Sequence, residues 1–295
     1  MPVSLASADW RALEHQHQER ADALSLGWRQ RAERGEKHPV NDFLFTYYPL
    51  RPGLLRRWHP GAGVTLADAA GDERASWKWY HGVDTAPAAG TAAATALAVD
   101  TAAFLEAKAR TVTFITTLLA DTITRPPNFG CFGLHEWAMV YRQGEHRHQA
   151  PLRLGQAGTD EVVVGSRIAC SHFDAYRFFT PAATSLNALT PTRENQPQLE
   201  QSGCLHAGMD VYKWAIKLGP LVPGTLLLDC FELAADIRQL DMRASPYDLS
   251  AWGYEPVSIE TPAGKAEYVR EQRGFAERGD VLRQRVIDAV ALAAL

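Results

Sequence analysis

Between Cys204 and Leu249 the chain sets acids and one histidine, His206, at turn spacing among apolar residues, in two segments punctuated by Pro220 and Pro223. The first reads CLHAGMDVYKWAIKLGPL and the second LLLDCFELAADIRQLDMRASPYDL. The spacing predicts helices over 204–219 and 225–242, and the prolines between them predict a short antiparallel hairpin. Such a hairpin has to bury its apolar stripes, and it carries carboxylates toward the core as it does so. An ionised carboxylate at a buried position is costly unless something pairs it. The acids are therefore expected to serve a metal, a cationic substrate, a proton transfer or a buried ion network.

The rest of the chain supplies the frame. With 295 residues, 46% of them hydrophobic, it can bury a sizeable core as one domain. The net charge of −4 provides no global basic field for nucleic acid or an anionic membrane. No apolar run reaches the about 18 residues of a membrane span, and the first twenty residues do not read as a secretory signal. Cys131, Cys170, Cys204 and Cys230 are widely spaced with no CxxC pair, so reduced thiols and a cytoplasmic protein are expected. Residues 7–34 read as an amphipathic helix capped by Ser7 or Asp9. Residues 101–124 read as another, ending before Pro126-Pro127. Val162–Val164 is the clearest strand signal, and residues 71–100, rich in Ala, Thr and Gly, read as a surface insertion or loop. Thr261-Pro262 caps a final helical region with a break near Gly279. The fold class expected is mainly α with a small β component, its core holding the His- and carboxylate-bearing hairpin.

The candidate site residues follow from spacing. Asp229, Glu232 and Asp236 lie at i, i+3 and i+7, on one helical face together with Leu233 and Leu240. They could hold a divalent metal, or could pair with Arg238 and Arg243; Asp229 could instead answer the helix dipole. His206 and Asp210 lie one turn apart and could act as paired ligands or as a base with its orienting acid. They could equally bond each other locally, with Lys213 and Lys217 solvated. His135 and Glu136 sit in LHEW, where adjacent side chains diverge by about 100°, so that only one would face a site. His172 and Asp174 would share a face of a strand, unless Arg177 takes Asp174. His146 and His148 form an HxH pair that could chelate or sit in an exposed loop, and Arg153 could bind an anion or be solvated. PGAGVTLA formally fits the turn of a helix-hairpin-helix DNA-binding motif, but Pro49 and Pro52 make a poor first helix for it.

Several blocks are similar, in order, to one family. They are HPVNDFLFTYY with RPGLLRRWHPG, CFGLHEWAMVYR, PLRLGQAGTD, CSHFDAYRFFTPAA, GCLHAGMDVYKWAIKLGPL and the stretch from LLLDCFELAADIRQLDMRASPYDL to GKAEYV. Together they cover most of residues 38–275 and resemble a group of bacterial proteins, frequent in actinobacteria, that carry the name 3-methyladenine DNA glycosylase. The resemblance implies hydrolysis of the N-glycosidic bond of an alkylated purine in DNA. It would need an extruded base stacked on aromatics and a carboxylate such as Glu136, Asp210 or Glu232 as base. It brings no established catalytic residues with it. The residues themselves favour a compact polar site suited to a small molecule. In that second reading Glu136, His172, Asp174, His206 and Asp210 carry the chemistry. His172, His206, Asp210, Glu232 and Asp236 would hold a divalent transition metal, iron, manganese or zinc. A third reading is a binding protein whose acids recognise a small cationic ligand.

Overall fold

The computed structural model describes residues 3–48, 50–84, 95–144 and 150–294. Helix predominates, with one small sheet, which is the expected class. Among the described residues β1 (Val3–Leu5), β2 (Val64–Leu66), β3 (Tyr80–Asp84) and β4 (Thr95–Val99) form a sheet of order β1-β2-β4-β3. β1 pairs with β2 in parallel, and the other pairings are antiparallel. Two expectations change here. Residues 71–100 provide two of the four strands, with 85–94 outside the described residues. Val64–Leu66 is a strand where the helix-hairpin-helix match would need a helix, so that match was coincidental.

The helices in chain order are α1 (Ser7–Glu33), α2 (Phe43–Tyr47), α3 (Pro52–Leu55), α4 (Thr101–Thr124), α5 (Leu134–Ala138) and α6 (Gly155–Val164). There follow α7 (Phe173–Tyr176), α8 (Pro181–Thr184), α9 (Gln196–Leu199), α10 (Leu205–Leu218), α11 (Gly224–Arg243) and α12 (Pro262–Ala291). The Asp100 side chain accepts from the Ala103 N–H to start α4, and Thr261 accepts from the Gly264 N–H to start α12. α1 starts instead from Ala6, with neither Ser7 nor Asp9 as its cap. α12 runs unbroken through Gly279, which is buried beside Arg283. Val162–Val164 ends helix α6 and does not form a strand. Val163 is buried and Val164 exposed, so tertiary packing has overridden the β-propensity of the run.

α10 and α11 form the hairpin, turned by Gly219 (φ 54°) and Pro220, and both pack on α12. Leu233, Ile237 and Leu240 of α11 are buried in the main core. Each contributes roughly 1.5–3 kcal/mol relative to an exposed position. α1 crosses the outer side of α11, and α4 lies against α12. All four cysteines are free. Among the described residues no helix is long and apolar enough to cross a membrane.

Candidate functional site

Phe132 (φ 49°) and Gly133 (φ 70°), two consecutive left-handed residues, turn the chain into α5. All five residues of α5 are buried, and it faces α11 where Arg238 and Asp241 stand one turn apart. His135 Nε2 lies 2.9 Å from Asp241 Oδ1, and Glu136 lies 3.1 Å from Arg238. Arg238 also donates to Asp241 Oδ2 at 2.9 Å. Adjacent residues of α5 thus reach the same pair on α11, where divergence predicted that only one would. The other nitrogen of His135, Nδ1, is 3.7 Å from Cys131 Sγ. His206 at the start of α10 sets its ring edge-on to that of His135, centroids 4.4 Å apart. One ligand atom each from His135, His206 and Asp241 fall within 4.8 Å of one another.

The electrostatics of this cluster suit a cation. Burial, aided by the neighbouring His135, holds His206 well below the ordinary imidazole range, so the ring is neutral and one of its nitrogens can act as a ligand. Burial opposes charge on His135, but the Asp241 carboxylate outweighs it and raises its proton affinity well above normal. Burial likewise opposes charge on Asp241, and His135 with Arg238 outweighs it, keeping the carboxyl ionised. His135 Nε2 and Asp241 Oδ1 are both buried and meet each other as a close ion pair, and among the described residues no further group bonds either atom.

A second cluster adjoins the first. His172, at the start of α7, places Nε2 3.2 Å from Asp210 Oδ2 and 3.4 Å from Glu200 Oε1. All three residues are buried, and their ligand atoms also lie within 4.8 Å of one another. Asp210 Oδ1 accepts from Tyr48 Oη at 3.1 Å, and Lys213 Nζ pairs with Oδ2. Lys213 also reaches Asp174 at 3.2 Å, and Arg177 reaches Asp174 at 3.1 Å. Arg125 fixes the Glu200 segment through the carbonyls of Glu200 and Pro197. Burial opposes charge on Asp210, but Lys213 and His172 hold its carboxyl well below the usual range. Burial alone would lower His172; Asp210 raises it above the ordinary imidazole value. Burial pushes Glu200 up.

The two clusters meet at His206, whose ring centroid is 5.4 Å from that of His172. His135, His172 and His206 line one small cavity with Cys131, Cys170 and Cys204. His172 Nδ1 is buried and has no hydrogen-bond partner among the described residues. On its other side His206 lines a cleft with Glu136, Asp174 and Arg238, walled by Phe43, Tyr47 and Phe178.

Of the residues singled out from sequence, Glu136, His172, Asp174, His206 and Asp210 come together here. Glu232 and Asp236 do not. Glu232 takes a two-pronged contact from Arg20 of α1, at 2.9 and 2.7 Å. Asp229 pairs with Arg20 and Arg285, and Asp236 with Arg278. At about 100° per residue these three acids share one side of α11, whereas Arg238 and Asp241 lie some 120–180° round the helix. The acids therefore face α1 and α12, and the expected convergence of Asp210, Glu232 and Asp236 on one cavity is overturned. Lys213, which the local reading of His206 and Asp210 would leave solvated, is largely buried in the site. Arg153 pairs with Glu260 at 2.6 and 2.9 Å. His146 and His148 lie outside the described residues.

Sequence reasoning passed over Asp241, Glu200 and Tyr48. Arg238 and Asp241 at i, i+3 in an apolar helix are a recoverable signal of a buried pair. Glu200 follows a one-turn helix and had no periodic signal. No family model, no curated protein and no solved structure matches this chain.

Proposed function

We propose that this protein is a metal-dependent enzyme acting on a small molecule, with a divalent transition metal held by His135, His206 and Asp241. Two imidazoles and one carboxylate are a donor set suited to iron, manganese or zinc, with positions left for water or substrate. The observation that carries the reading is that His135 Nε2 and Asp241 Oδ1, buried and 2.9 Å apart, lie with a ligand atom of His206 all within 4.8 Å of one another. A dication that displaces the proton shared by this pair would bind both atoms and His206 at once. The surroundings fit as well. Cys131 faces the back nitrogen of His135, and Arg238 holds the other oxygen of Asp241, the outer contacts that aim metal ligands.

When bound, such an ion would polarise a substrate oxygen or a water. The chain's own part falls to the second cluster. His172 is oriented by Asp210 through Nε2 and keeps Nδ1 unpartnered beside the same cavity, the arrangement of a proton carrier held by an acid. Phe43, Tyr47 and Phe178 give the cleft its apolar wall.

Elemental analysis of purified protein and of His135→Ala and Asp241→Asn tests the reading. One transition metal per chain, lost in both variants while they remain folded, is the expected result. A folded wild type that takes up no metal overturns it. Metal-independent release of free base from alkylated DNA overturns it in favour of the glycosylase that the family resemblance implies.

A further inference from the structure

The two adjoining clusters offer similar donor sets but differ in what compensates their carboxylates. Asp241 meets His135 through Oδ1 and Arg238 through Oδ2, and no lysine reaches into its cluster among the described residues. Both oxygens of Asp210 are engaged, Oδ1 by Tyr48 and Oδ2 by His172 and Lys213. Lys213 approaches from the next turn of α10, and its side chain is only 12% exposed. Its Nζ joins Asp210 to Asp174 of α7. Without that ammonium, His172, Glu200 and Asp210 would present an imidazole and two buried carboxylates, all within 4.8 Å, a borderline-hard set that a dication fills readily.

We propose that the Lys213 ammonium stands in the place of a second metal ion, closing a latent His172–Glu200–Asp210 site and limiting the protein to one ion per chain. The inference rests on the metal reading for its first ion, while the latent site stands on its own geometry. An ammonium supplies fixed positive charge and hydrogen bonds, but it is no Lewis acid and carries no exchangeable water. The cluster is thereby kept for moving protons beside the metal, with His172 Nδ1 facing no competing partner. A built-in cation also repels a dication from the His172, Glu200 and Asp210 donors that it contacts or adjoins.

The test is zinc stoichiometry. Wild type, Lys213→Met, Lys213→Arg and the double variant Lys213→Met/Glu200→Gln are equilibrated with zinc, freed of excess and assayed for bound metal. One zinc in wild type and in Lys213→Arg, two in Lys213→Met and one again in the double variant support the inference. A Lys213→Met protein that unfolds alone but folds with zinc and holds two ions supports it equally. Lys213→Met remaining at one zinc, or remaining unfolded in saturating zinc, overturns it. Two zincs in wild type overturn it while leaving the proposed function standing. No zinc in wild type with one in Lys213→Met, removed by Glu200→Gln, rejects the proposed function and keeps the latent site. No zinc in either rejects both.

Discussion

Arg238 and Asp241, one turn apart on α11, are joined at 2.9 Å inside the protein, each 3% or less exposed. The guanidinium also takes Glu136 at 3.1 Å and stacks over Phe43 at 4.1 Å. Arg238 is therefore the group that fixes which oxygen of Asp241 remains available beside His135.

Replacing Arg238 by Met keeps the bulk and removes the donor. If Asp241 is a ligand, this outer contact is worth about 10–100-fold in metal affinity. The expected outcome for Arg238→Met is a zinc dissociation constant raised by about that factor with stoichiometry unchanged, measured by competition with a chelator. Unchanged affinity would mean that Asp241 is not held for a metal. Stability also falls, by about 3–5 kcal/mol, because Glu136 and Asp241 lose their buried partner; zinc should restore part of the loss.

Glu232 gives the opposite expectation. Its carboxylate is 40% exposed and its partner Arg20 33% exposed. A pair in that setting contributes no more than about 1 kcal/mol. Glu232→Gln and Asp236→Asn should each leave metal content at the wild-type value and shift the unfolding free energy by less than that amount. Loss of bound metal in either would return these acids to the site.

His59 should make the protein acid-sensitive independently of any metal. Its Nδ1 is 2.8 Å from Tyr80 Oη, and burial with the nearby Arg74 charge lowers its pKa to about 3. The unfolded chain takes a proton on this ring below its ordinary value of 6.5, whereas the folded protein does not until about 3. Stability is therefore full above pH 6.5 and lost as the pH falls toward 3. At 1.36 kcal/mol per unit, the loss between pH 7 and pH 4 from this group is about 3 kcal/mol. His59→Asn should weaken the fold at pH 7, yet narrow the difference between pH 7 and pH 4 by about that amount in urea titrations. An unchanged difference would mean that His59 is not neutral in the folded protein.

The elements that could be read from the sequence are those whose signal is local. α4 announces itself by apolar spacing, a capping Asp100 and Pro126 beyond its end, and α12 by Thr261-Pro262. β3 and β4 could not be read that way, because each is five residues long and takes its stability from pairing with neighbouring strands. Val162–Val164 misled for the converse reason, since packing decided its state. The same division runs through the site. His172, His206 and Asp210 stood out as polar groups in apolar settings, but their partners come from distant segments: Tyr48 from the end of α2, Glu200 from a loop, Asp241 from the far end of α11. Helical spacing reports which residues share a face and is silent on which element that face meets. For that reason spacing alone groups Glu232 with His206 and Asp210, whereas its carboxylate faces Arg20 of α1.

Gly208 is where the hairpin geometry and the site meet. It lies between His206 and Asp210 on α10, and a Cβ built there would stand 2.7 Å from Ile237 Cδ1 of α11. Ile237 is fully buried, so its side chain has little space into which to retreat. Gly208→Ala should gain about 1 kcal/mol of helix propensity and lose about 1–3 kcal/mol to overpacking, giving a net destabilisation. The strain would push α10 away from α11, and His206 and Asp241 sit on those two helices. Metal affinity should fall with stability. Pairing the change with Ile237→Val, which removes the clashing methyl group, should restore both. Recovery of stability without recovery of metal affinity would show that the spacing of α10 and α11 does not set the distance between His206 and Asp241.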